Sequence, residues 1–412
     1  MKFNSFTITE FSSICFRQNN KMIGYDLRCK NLILPQQTFE EIKKFILKNS
    51  EQTQFLKPSY KNGLGEVLQA QNYVGVIQTK DGTTIEILPK IQNLEQDESK
   101  KILIKMLKTL KKSPFKNFNM AHLKSSKMPL LEIFITMFLE ELANLIRKGI
   151  KSDYISLEDN LKFLKGKLKI AEQIKKNSIH KERFYVEYQE FMSDRVENRL
   201  IKTTLQYLYK KSHSNKNQQR IREFLFVFDE ISLCKDIKND FLHVKPNRQM
   251  KDYEQVLLWC KTFLLENSFS PYKGNDVAFA LLFDMNLLFE SYVGAYLKKK
   301  GLHVSLQDRG KHLVEEPKKF ALKPDIVITH KDRVIIADTK WKTIHEEKDI
   351  SQNDMYQLFA YGKKYANKRL YLIYPRDGEK QPKLSYRYEE KLNLRVLFFD
   401  VAKNWGQNPF KL

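Results

Sequence analysis

The sequence predicts an α+β/α-β chain in three parts: a mixed amino-terminal domain over 1–125, a mainly helical middle over 126–270, and a carboxy-terminal α/β core over 271–412. Length is the first observation behind this, because 412 residues suffice for two or three domains, each with its own core. The second is a run of apolar residues at helical spacing, Pro129 to Lys148, in the middle of the chain. The third is a set of short apolar runs toward the carboxyl end, Ile326–Ile328, Val334–Ala337 and Leu370–Pro375, alternating with helix-like segments.

Leu32–Leu34, Tyr73–Gln78 and Thr83–Leu88 read as strands, the last two joined by a hairpin turn at Asp81-Gly82. Between them, Thr38–Leu47 reads as an amphipathic helix with Thr38 as N-cap ahead of Glu40 and Glu41. Lys111–Asn119, with Ser113-Pro114, reads as a linker. In the long helix Pro129–Lys148, a core face is expected from Leu130, Ile133, Phe134, Met137, Phe138, Leu142 and Ile146. Glu197–Lys211 and Tyr253–Glu266 read as further helices, separated by a polar loop at Ser212–Gln218. The pairs Lys165 with Lys167 and Arg195 with Arg199 are candidates to track DNA, against the ordinary reading of solvated basic surface. Asn267–Asp276, with Pro271 and Gly274, reads as a domain boundary, and Leu394–Phe399 as the last strand.

The chemistry concentrates between Lys323 and Lys340. The runs Ile326–Ile328 and Val334–Ala337 read as two strands joined by the polar turn His330–Arg333. Asp325 opens the first strand, and antiparallel pairing brings it opposite Asp338, which closes the second. Alternation puts Asp338 and Lys340 on one face, with Thr339 pointing away. Such a site suits Mg²⁺, a hard cation that takes one or two carboxylates and keeps several waters. The candidate ligands are Asp325, Asp338 and the Thr339 carbonyl, and Lys340 is placed to orient or deprotonate a water or to balance charge. Asp354–Lys364 reads as a helix with Gln357 and Tyr361 on one face at i, i+4. Asp284–Val293 reads as another, from which Glu290 is a further candidate ligand, although a glutamate on an amphipathic helix is ordinarily solvated. Trp341 offers an aromatic face to a base, or packs against the sheet.

A helix with Glu, a hairpin with P-D and D-x-K, a helix with Q-x-x-x-Y and a following strand together resemble the PD-(D/E)XK restriction-endonuclease-like core. More narrowly the chain resembles the McrC family, the endonuclease subunit of McrBC-type modification-dependent restriction systems. This rests on Asn72–Ile77 and Ile85–Ile91, Leu164–Leu168, Arg183–Tyr188, Asn198–Lys202, Asn286–Glu290 and Tyr356–Tyr361, in order from about Leu34 onward. Met1–Lys30 matches no pattern of the family. The resemblance implies catalytic roles for Asp325, Asp338, Lys340, Gln357 and Tyr361 in Mg²⁺-dependent cleavage of double-stranded DNA in phage defence. It implies a partner, a hexameric McrB-like AAA+ GTPase that binds GTP on its own chain, and it allows self-association through the nuclease domain. The amino-terminal domain is then expected to bind the partner. Two alternatives stay open, a non-catalytic adaptor of the GTPase ring and a stand-alone repair nuclease.

Composition is compatible with this and excludes other classes. A formal net charge of +23 suits a polyanionic partner, although Lys, Asn and Ile are abundant throughout, as in AT-rich genomes. Cys15, Cys29, Cys234 and Cys260 lack C-x-x-C spacing, and the histidines form no H-x-x-x-H pair, so neither a disulfide framework nor a zinc site is expected. No G-x-x-x-x-G-K-[ST] occurs, which places any GTPase on another chain. The amino terminus, broken by Asn4, Thr7, Thr9 and Glu10, does not read as a signal peptide. Charges interrupt both apolar windows, Met128–Ile146 and Val277–Phe289, so a cytoplasmic protein without a membrane partner is expected.

Overall fold

Alternating apolar residues at the start of the chain build two sheets around one helix. The structure, a computed structural model, describes residues 5–16, 24–26, 31–48, 55–91, 94–111, 113–116, 128–244, 248–265, 278–330, 333–366, 369–378, 381–405 and 409–410. Residues 1–130 and 266–412 form one compact unit and 131–265 a second. The expected boundary at Asn267–Asp276, like Cys29, lies outside the described residues.

The first unit opens with β1 (Ser5–Thr9), β2 (Ser13–Phe16), β3 (Gly24–Asp26), β4 (Asn31–Leu34), α1 (Gln36–Lys48), β5 (Leu56–Lys61), β6 (Gly65–Ala70), β7 (Tyr73–Thr79), β8 (Thr84–Leu88) and α2 (Gln96–Leu107). One sheet has the order β3-β4-β2-β6-β5; in the other, β8 lies between β1 and β7. The helix α1 buries Phe39, Ile42, Phe45 and Ile46 in a cluster with Ile14, Leu32, Leu68, Ile77 and Ile87. It begins two residues before Thr38, so the expected N-cap is incorrect. Pro35 supplies the carbonyl that receives the Phe39 N–H, and Thr38 Oγ1 donates instead to Asp81 Oδ2 at 2.8 Å. The expected β7–β8 turn is present, with Gly82 at φ 84° and Asp81 Oδ1 accepting the Thr83 N–H at 2.9 Å. On β8, buried Glu86 receives Lys100 Nζ at 2.6 Å, Thr7 Oγ1 at 3.3 Å and the Leu130 N–H, which ties β1, α2 and the start of the next helix together. The linker reading of Lys111–Asn119 is corrected over its described part. Ser113 and Phe115 are buried, and the Phe115 ring meets that of Phe283 edge-on at 5.7 Å.

The second unit contains α3 (Leu130–Arg147, its first residue belonging to the first unit), β9 (Asp153–Leu161), β10 (Lys167–Leu168), α4 (Ile170–Lys176), β11 (Phe184–Met192), α5 (Val196–Lys211), α6 (Asn215–Val227), α7 (Ile237–His243), a 3₁₀ turn at Arg248–Tyr253 and α8 (Glu254–Leu264). The mainly helical middle also holds a sheet that was not expected, β10-β11-β9, in which Phe184 to Met192 pair with Leu161 to Asp153. Both long strands carry polar residues on either face and bury little besides Val186, so they lack the apolar alternation that marks a strand. The supposed loop Ser212–Gln218 ends at Ser214, whose hydroxyl caps α6. On α3, Leu145 is buried where Ile146 was expected; Ile146 is half-buried. Fully buried Asn198 donates to the carbonyls of Lys151 and Ser193 and accepts from Tyr253, which explains an Asn at that point of the sequence. Three of the four cations considered for DNA are engaged: Arg199 makes a two-pronged pair with Asp194 at 2.8 Å, Arg195 reaches Asp153 at 2.7 Å, and Lys165 lies 4.0 Å over the Tyr188 ring, while Lys167 is exposed.

The chain returns to the first unit with β12 (Ala278–Asp284), α9 (Met285–Lys299), β13 (His303–Leu306), β14 (His312–Val314), β15 (Lys319–Ala321), β16 (Ile326–His330), β17 (Arg333–Thr339), a 3₁₀ turn at Glu347–Asp349, α10 (Gln352–Lys364), β18 (Arg369–Pro375), β19 (Ser385–Glu389) and β20 (Leu392–Phe399). Strand β12 pairs antiparallel with β7 along its whole length and completes the amino-terminal sheet. At that seam Gly75 has φ 141°, and a Cβ there would lie 2.0 Å from the Leu281 carbonyl oxygen. The carboxy-terminal sheet has the order β13-β16-β17-β18-β20-β19, with β17, β18 and β20 parallel. The helix α10 packs Leu358 and Tyr361 onto Ile336, Leu370, Leu372 and Leu394. This is a mixed α/β protein with several mixed sheets, and among the described residues no helix is long and apolar enough to cross a membrane.

Candidate active site

The β16–β17 register, Ile326 opposite Ala337, carries Asp325 and Asp338 to the same end of the hairpin, as the spacing predicts. Asp325 Oδ2 accepts both the N–H and the hydroxyl of Thr339 at 2.8 Å. Thr339 thus acts through its side chain as an anchor for the facing strand, a role that alternation alone did not suggest. Asp338 is 1 % exposed, and neither of its oxygens has a partner in hydrogen-bond geometry, although Lys340 Nζ lies 2.8 Å from Oδ2. The backbone of Lys340 is fixed to β18 by its N–H to the Ile373 carbonyl, 2.9 Å, and its ammonium is shared with Asp354 Oδ1 at 3.6 Å.

Glu290 comes from α9, whose first turn is capped by Asp284. It is buried, not solvated, and its Oε2 accepts from Gln307 Nε2 at 2.9 Å. Gln307 has φ 52° and also donates its N–H to the Asp325 carbonyl at 2.9 Å, so one residue in the left-handed region joins both acidic elements. On α10, Gln357 Nε2 donates to the Tyr361 hydroxyl at 2.6 Å; the tyrosine is buried and the glutamine exposed.

The charges are mutually strained. Burial, then repulsion from Asp325, pushes the Asp338 carboxyl up to about 7. Asp325 is also raised by burial, against the lowering effect of the two Thr339 donors. Glu290 is pushed up to about 7 by burial and by Asp325. For Lys340 burial works against the charge, but Asp338 and Asp354 outweigh it and hold the ammonium protonated. Two neighbouring acids, one buried with an unpartnered oxygen and one half-buried, fit a hard divalent cation. Among the described residues no three His, Cys, Asp or Glu side chains form a ready metal cage, so such an ion would keep waters in its shell.

Sequence reasoning missed Asp354 and Gln307. Asp354 had a signal, since positions 354, 357 and 361 fall on one helix face. Gln307 had none, since its contacts depend on β13 pairing with β16.

Trp341 takes the packing role. It is 8 % exposed, its ring meets Phe289 at 5.3 Å, and Nε1 donates to Glu10 Oε2 at 3.0 Å. Glu10 also accepts the Lys90 N–H at 3.0 Å, while its Oε1 is buried without a partner. Burial raises this carboxyl to about 7. Between its ordinary value of 4.5 and 7 the folded state then binds more protons than the unfolded one, so this group's contribution to stability falls as pH rises. Glu10→Gln keeps an acceptor for both N–H groups. Relative to the parent it is expected to gain on the order of 3 kcal/mol between pH 4.5 and 7. Urea melts of both proteins at pH 5 and pH 8 check this; a difference independent of pH would refute it.

The family described as McrBC 5-methylcytosine restriction system component matches residues 68–375. The type IV methyl-directed restriction enzyme EcoKMcrBC of Escherichia coli K12 is 23% identical over 61% of this chain and 74% of its own. Among solved structures, the half-complex from a tetradecameric assembly of Thermococcus gammatolerans McrB AAA+ hexamers with bound McrC aligns with a TM-score of 0.71 at 19% identity, covering 99% of this chain and 97% of the other. The cryo-EM structure of the Thermococcus gammatolerans McrBC complex aligns at 0.53 and 20% identity, covering 74% and 90%.

Proposed function

We infer the role of this chain from its descent, for it belongs to the family of McrBC 5-methylcytosine restriction system components. It is the DNA-cutting subunit of a modification-dependent restriction complex, and its carboxy-terminal sheet with α9 and α10 is a PD-(D/E)XK nuclease core. The observation that carries this reading is buried Asp338 beside half-buried Asp325, with Lys340 Nζ 2.8 Å from Asp338 Oδ2 and Asp338 Oδ1 unpartnered.

Asp325, Asp338 and the Thr339 carbonyl would hold Mg²⁺, with Glu290 beside them reaching the ion through one of its waters. When bound, Mg²⁺ supplies neutralisation of phosphate charge and a water of lowered pKa. The side chains do the rest. Thr339 fixes the Asp325 carboxylate, and Gln307 fixes Glu290 beside it. Lys340, kept protonated by its two carboxylates, serves to balance charge on the phosphate and is poorly suited to be a base. Tyr361 holds the exposed Gln357 amide in place to meet a phosphate or the attacking water.

One solved relative contains McrB AAA+ hexamers with bound McrC, and by likeness this chain docks on an AAA+ ring of that kind, which as a GTPase would bind GTP on its own subunits. Incubation of the chain with such a partner, Mg²⁺, GTP and cytosine-methylated plasmid is expected to give double-strand cuts that require the partner. GTP hydrolysis without any cutting would make the chain an adaptor, and cutting without the partner would make it a stand-alone nuclease.

A further inference from the structure

The parallel strands β17, β18 and β20 end side by side at Thr339, Pro375 and Phe399. In open α/β sheets ligands bind outside the carboxyl ends of such strands. The catalytic residues use one part of this rim. The segments that follow, with the turn after β1 and the end of β8, enclose a separate cavity of 240 Å³ whose floor includes Trp341 and Pro375. Lys90, Lys342 and Arg376 line it, against one carboxylate, Asp377. All three cations are exposed, and the Lys342 ammonium is steadied by the Asp349 carbonyl. The remaining wall is Phe11, 47 % exposed and held at φ 64°, a backbone conformation that is uncommon for a bulky residue and concentrates at functional sites.

We propose that this cavity binds the sugar–phosphate backbone of the DNA strand beside the scissile bond, with a phosphate against Lys90, Lys342 and Arg376 and a deoxyribose against Phe11. The proposal rests on the DNA-cleavage reading above. Spacing supports it: Lys342 lies two residues beyond Lys340, so their Cα atoms are at most about 7 Å apart. The cavity would therefore hold a phosphate close to the one that is cut. Phosphate contacts of this kind set register without reading sequence.

The test uses the chain–partner complex carrying Asp338→Ala, so that DNA is bound and not cut, and measures affinity for a cytosine-methylated duplex against salt concentration. Lys90→Ala with Arg376→Ala should reduce the slope of log K on log salt by about 0.9 for each lost phosphate contact. In the cutting-competent complex the same pair should raise KM for DNA roughly three- to tenfold and leave kcat within about twofold. Phe11→Gly relieves the backbone conformation, so it should weaken DNA binding without lowering the melting temperature. An unchanged slope and KM in a complex that binds and cuts DNA would overturn the cavity assignment alone. If the parent complex neither binds nor cuts DNA, the assignment and the nuclease reading fall together.

Discussion

Asp338→Ala is expected to abolish DNA cleavage by the assembled complex, lowering the rate by about three orders of magnitude or more, while the partner's GTP hydrolysis continues. Removing a ligand that places charge stabilisation of several kcal/mol at the phosphate costs about a decade of rate per 1.4 kcal/mol. A reader of the experiment must exclude unfolding, and the structure supplies the means. Asp338 is buried, its carboxyl is pushed up to about 7, and neither oxygen is in hydrogen-bond geometry, so near neutral pH its charge opposes folding. The variant should melt at the same temperature as the parent or higher, as expected where activity is kept at the expense of stability. Retained cutting by Asp338→Ala would remove this site from the mechanism. Loss of both cutting and GTP hydrolysis in a well-folded variant would show that the two activities do not use separate sites.

The second large effect is structural. Gly75→Ala should destabilise the first unit by about 3 kcal/mol or more, from a strained backbone and a forced shift of the neighbouring strand. At φ 141° and with the Leu281 carbonyl oxygen 2.0 Å from the Cβ position, the added methyl meets backbone that cannot move aside as a flexible side chain would. Gly65→Ala is the control, since that glycine has φ 75° and nothing within 4 Å of its Cβ position, leaving only the conformational cost of about 1–2 kcal/mol. Urea denaturation of both variants separates the two terms. Equal losses would mean that the β7–β12 seam relaxes freely.

The part of the site that was legible is the part that is local. Asp325, Asp338 and Lys340 lie within one hairpin, so alternation and pairing were enough to bring them together, and Gln357 with Tyr361 needed only helical spacing. Glu290 was harder, because a helix taken alone does not reveal that its polar side is covered. Gln307 and Glu10 depend on contacts between distant segments, for which one sequence carries no signal. The same distinction explains the fold. The strands β7 and β8 stood out through apolar alternation and an Asp-Gly turn, whereas β9 and β11 are polar on both faces and hid among helices. Conversely, two motifs on which the family resemblance rested have packing reasons. Gly75 lets β12 approach β7. Gly166, at φ 75°, sits where a Cβ would come within 2.4 Å of the Glu187 carbonyl oxygen.

The pairing of β7 with β12 also sets an order of events during synthesis. Asn72 and Asp284, which are hydrogen-bonded across that seam, are 212 residues apart in the chain. At ordinary translation rates roughly 10–40 s separate their emergence from the ribosome. Through that interval the second unit is made in full, while β7 waits with an open edge, the kind of surface that recruits stray strands. The first unit therefore closes last, around a segment that begins its own synthesis only after the inserted unit is complete. A nascent chain stalled before β12 leaves the amino-terminal sheet unfinished and has none of the catalytic carboxylates.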